Sequence, residues 1–139
     1  MIITDMYYNE KIDIWSVGIV LAELLLTVNS GKKEASSQAD RYLFEGDQCF
    51  PISPNAKYGN VVDKNDQIMK ILEKYPNYNQ EVDQSFVTNT KQNDYLQNCF
   101  LKVQTKQCFS EQFSGTNPEL VELLQQTLEF NHFYRPSAK

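Results

Sequence analysis

The sequence is poor in the residue types that most often carry chemistry or staple a small fold. It has one histidine, His132, one tryptophan, Trp15, and only two arginines, Arg41 and Arg135. His132 has no cysteine or serine partner at triad spacing, so no nucleophilic pair can be built on it, and it is expected at a helix end or turn. Two arginines in a chain of formal net charge −5 exclude a nucleic-acid face and a polybasic membrane patch. The three cysteines, Cys49, Cys99 and Cys108, are an odd number without C-x-x-C spacing. That pattern suggests neither a disulfide framework nor a zinc knuckle, and it fits a reducing intracellular setting, cytoplasmic or nuclear. No signal peptide is read at the start, since Met1-Ile2-Ile3 runs straight into Thr4-Asp5. Gly31-Lys32-Lys33 is not part of a G-x-x-x-x-G-K-[ST] loop, and no apolar strand leads into it.

What is present is an ordinary globular composition, 41% hydrophobic and 22% charged over 139 residues, enough for one domain with a core. One stretch dominates it. Tyr8 to Val28, YNEKIDIWSVGIVLAELLLTV, wound as a helix places apolar side chains on every face, so it is expected to be the buried central helix of a larger domain. A membrane span is disfavoured because the run is shorter than the ~20 residues needed and is interrupted by Asp13, Ser16 and Glu23.

The remainder reads as helices joined by polar connections. After Val28 the residues from Asn29 to Asp40 form a helix stop and loop, and Asp47 to Pro54 is an extended segment anchored by Phe50 and Ile52. Asp63-Lys64-Asn65-Asp66 starts a helix over Gln67 to Tyr75, with Ile68, Met69, Ile71, Leu72 and Tyr75 as its stripe and Pro76 as its stop. Phe86, Val87, Tyr95, Leu96, Phe100 and Leu101 are expected to face inward, and the acid pair Glu81 and Asp83 reads as a solvated helix start. Lys102 to Thr116 is a polar connection anchored by Phe109 and Phe113. Asn117-Pro118-Glu119 then opens a helix packed through Leu120, Val121, Leu123, Leu124 and Leu128.

Asp13-Ile14-Trp15-Ser16-Val17-Gly18 resembles the D-x-W-S-x-G motif that opens the central helix of the large lobe in eukaryotic protein kinases. Further blocks follow in that family's order: Leu43-Phe44-Glu45-Gly46 resembles L-F-x-G, Asp66 to Leu72 resembles the next helix, and Phe130 to Ala138 resembles F-N-x-x-x-R-P-S-A. The version is similar to that of MAP-kinase-like (CMGC group) Ser/Thr kinases, except that His132 stands where many relatives have proline.

The resemblance implies a mostly α fold, a partial large (C-terminal) kinase lobe over 1–139, with a loop region at 29–62 and an insert and connection at 76–117. It also implies scaffold roles for Asp13, Trp15, Gly18 and Arg135, with Glu23 as a possible substrate-side residue. In the family the aspartate holds the catalytic loop and the arginine pairs with the A-P-E glutamate. That glutamate would fall immediately before Met1, so Arg135 is expected to turn outward or find another acceptor. The G-x-G-x-x-G loop, the V-A-I-K lysine, H-R-D and D-F-G are absent from these residues. No catalytic, cofactor-binding or metal residue is therefore expected, although the parent family uses ATP and magnesium. The expected partner is the rest of a kinase domain or another protein. One apolar face of the central helix should stand uncovered.

Overall fold

In the computed structural model the described residues are 9–30, 42–53, 62–75, 79–103 and 109–138. They form six helices: α1 (Lys11–Ser30), α2 (Gln67–Lys74), α3 (Gln80–Asp83), α4 (Thr90–Lys102), α5 (Phe109–Gln112) and α6 (Pro118–Thr127). The mostly helical character matches the sequence reading. The described residues divide between two compact units, one drawn from Phe44–Cys108 and the other from Tyr8–Leu43 with Phe109–Lys139. Arg41, Tyr58 to Asn60, Pro76 and Cys108 lie outside the described residues.

The first unit is built on α2 packed against α4. Asp66 caps α2, its carboxylate accepting the Ile68 N–H, and Ile68, Met69, Ile71 and Leu72 are buried at the spacing of one helical face. Asn89 caps α4 by accepting from the Gln92 N–H, and Tyr95, Leu96 and Cys99 are its buried residues. The segment before α2 runs alongside it: Asp47 N–H donates to Asn65 O, and Gln67 N–H to Gln48 O. Gly46 is needed in this approach, because a Cβ there would stand 2.9 Å from the Gln67 main chain. Two expected anchors prove to be exposed, Ile52 at 70% and Leu101 at 80%. Ile52 lies in a turn and Leu101 in the last turn of α4, and both side chains face solvent. Asp83 departs the other way. It is buried and accepts the Asn79 N–H at 2.6 Å, closing the short α3 turn instead of being solvated, whereas Glu81 is exposed.

The second unit joins α1 to α6. Asn117 caps α6 by accepting the Glu119 N–H, and Pro118 supplies the first turn, as its sequence predicts. Leu124 and Leu128 are buried, but Leu123 is 44% exposed, which narrows the expected packed face. Ahead of α6, the buried rings of Phe109 and Phe113 lie 4.9 Å apart.

The expectation that α1 is buried on all sides is corrected. Gly18, Ala22 and Leu26 form its one buried line, while Val17, Val20, Leu24 and Val28 are 58% to 60% exposed on the other side. This is the uncovered apolar face anticipated above. The length argument also changes, since the helix runs 20 residues and its Lys11–Asn29 portion is long and apolar enough, by length and composition, to cross a membrane. What defines it here is its attachment to α6. A Cβ on Gly18 would stand 2.6 Å from Thr127 Oγ1 and 2.9 Å from Leu128 Cδ2, so the helices approach through a site that holds no side chain. Gly18→Val is expected to lower stability by about 2 to 3 kcal/mol through overpacking, well beyond the few tenths returned by helix propensity. A urea titration that found no loss would show that the approach can relax.

Candidate functional site

The densest polar construction among the described residues of the second unit is the junction between the first turn of α1 and the turn after α6. Asn9 Oδ1 accepts the Lys11 N–H at 3.1 Å, which starts the helix. Asp13, by contrast, stands exposed within the first turn and makes no side-chain hydrogen bond among the described residues. The helix begins two residues earlier than the aspartate, so Asp13 occupies the third helical position and not the capping position.

Arg135 reaches this turn from the far end of the chain. It is 9% exposed, and its Nε donates to Glu129 O at 2.7 Å, Nη1 to Lys11 O at 3.2 Å and Nη2 to Phe130 O at 3.1 Å. Its guanidinium also lies 4.7 Å from the centre of the Trp15 ring, a cation–π contact. Of the two outcomes expected for this arginine, the second is observed: it turns inward and finds main-chain acceptors. The planar five-donor fork suits such a task, because it can serve several carbonyls at fixed angles without losing its charge. Lys11 completes the junction, its Nζ donating to Phe133 O at 2.9 Å. At the other end of α1, Asn29 Nδ2 donates to Thr116 Oγ1 at 3.1 Å.

The turn itself is held by Asn131, which is 1% exposed and whose Oδ1 accepts the Phe133 N–H at 3.0 Å. His132 is buried in the same turn, its ring 4.2 Å from that of Phe133. The turn position agrees with the sequence reading. Burial, followed by the positive charges of Arg135 and Lys11, holds its pKa below the ordinary 6.5. Below that value the unfolded chain binds more protons than the folded one. Stability is therefore complete above about pH 6.5 and declines as pH falls toward the folded pKa. His132→Gln is expected to flatten this part of a pH series of urea midpoints. An unchanged slope would assign it to another group.

Trp15, Gly18 and Arg135 all lie in this unit, where Arg135 meets Trp15 and Gly18 meets Thr127, while Lys11, Thr127 and Asn131 carried no expectation from the sequence. Thr127 Oγ1 donates to Leu124 O while facing Gly18. Glu23 is half-buried in mid-helix and has no side-chain partner among the described residues.

In the first unit a second polar centre was also missed as such. Asp66 is 1% exposed, and besides capping α2 it accepts the Phe50 N–H at 3.0 Å through Oδ2. Tyr95 lies beside Asp66 and Cys99, and its ring stacks on Phe50 at 4.1 Å. Burial, then the neighbouring Cys99 and Asp66, raises the Tyr95 pKa well above the usual phenol range. Burial and Asp66 push the Cys99 thiol up to about 12, so it is a packing group and not a nucleophile. The available signal was the i, i+4 spacing of Tyr95 and Cys99, which puts both on one helical face, together with a cap aspartate leading an apolar run.

No protein-family model matches the chain. It is 31% identical over 123 residues, 88% of its length, to Mitogen-activated protein kinase 14 of Xenopus laevis. It is 25% identical over 134 residues, 96% of its length, to Mitogen-activated protein kinase pmk-1 of Caenorhabditis elegans. The chain spans about a quarter of the length of these curated relatives, 26% and 27%. With its helical fold and the order of its blocks, the chain is a MAP-kinase-like fragment that corresponds to part of the C-terminal lobe of a protein kinase.

Proposed function

We propose that these 139 residues are scaffold from the large lobe of a Ser/Thr protein kinase and do not transfer phosphate on their own. The observation behind this reading is where the buried polar side chains direct their hydrogen bonds. Arg135, Asn131, Thr127 and Asp66 each bond main-chain groups, which positions backbone and turns. The sequence motifs that would cradle ATP, bind magnesium and orient an attacking hydroxyl are not among these residues. Phosphoryl transfer to protein serine or threonine, with ATP and magnesium as in the parent family, would belong to a longer protein. The partner of this piece is then the remainder of the kinase domain, in an intracellular setting. In such a whole Glu23 would be the candidate for a substrate-side residue that favours basic peptides.

The test is a thermal unfolding scan of the purified chain with and without Mg-ATP. A ligand that binds the folded state must raise its stability, by about 2.7 kcal/mol at a hundredfold excess over Kd. No shift is expected, and a clear shift would overturn the proposal. A second reading, a non-catalytic interaction module derived from a kinase, is favoured by the exposed row of Val17, Val20, Leu24 and Val28 on α1. The coding sequence upstream of Met1 separates the two. In-frame A-P-E, D-F-G and H-R-D would favour part of an active enzyme, and a genuine start at Met1 with folded product would favour the module.

A further inference from the structure

We draw no further inference here: the strongest candidate, the exposed aliphatic row of Val17, Val20, Leu24 and Val28 along α1, carries none because nothing in the structure shows what covers it.

Discussion

Arg135→Ala is expected to destabilise the second unit by about 3 to 5 kcal/mol, because a charged donor shared by several main-chain carbonyls is removed. Three carbonyl oxygens, on Lys11, Glu129 and Phe130, lose a charged donor at once. Hydrogen bonds to charged groups contribute about 1.5 to 3 kcal/mol each, partly offset by the desolvation that the guanidinium no longer undergoes. The ring of Trp15 loses its cation, a further ~0.5 to 2 kcal/mol. Because Trp15 is the sole tryptophan, its emission reports on this junction alone. The variant should red-shift that emission and lower the urea midpoint read from it. Arg135→Lys should recover less than half the loss, since an ammonium keeps the charge but cannot hold three carbonyls in one plane. A loss under about 1 kcal/mol in the alanine variant would mean that the junction is not what holds the turn to α1.

Asp66→Ala should have an effect of similar size in the first unit, about 3 to 4 kcal/mol. The change removes an α2 cap, which contributes about 1 kcal/mol, and leaves the Phe50 N–H without its carboxylate acceptor in a buried site. Asp66→Asn is nearly isosteric and separates the causes. Its amide nitrogen would oppose a donor, whichever way the group is turned, so most of the loss should remain. Near-ultraviolet circular dichroism of the stacked Phe50–Tyr95 pair is the local readout, alongside a urea titration. If the asparagine variant matched the parent protein, the centre would be held by packing and not by the negative acceptor. Glu81→Ala, at an exposed acid in the same unit, is the comparison that should leave both signals in place.

The difference between these acids marks where sequence reasoning stops. Asp66, Asp83 and Glu81 all look like helix-start residues, and local chemistry accounts for the cap made by Asp66. Their burial depends on which segments arrive from elsewhere. Phe50 and Tyr95 enclose Asp66, Asn79 closes on Asp83, and Glu81 is left in solvent. Exposure at Ile52, Leu101 and Leu123 was equally illegible, because an apolar residue at the end of an element satisfies the same periodicity whether or not a neighbour reaches it.

By itself the sequence determined the helices, through periodic apolar residues and the caps at Asp66 and Asn117, and it carried the ordered blocks that relate the chain to MAP kinases. Helix α1 shows what it could not determine. A segment apolar on every face has no preferred side, so its own residues do not say which line is covered. The close approach at Gly18, together with main-chain carbonyls brought to Arg135 from residues far apart in the chain, decided that. Contacts of this kind depend on distances between segments, and those exist only once the chain is folded.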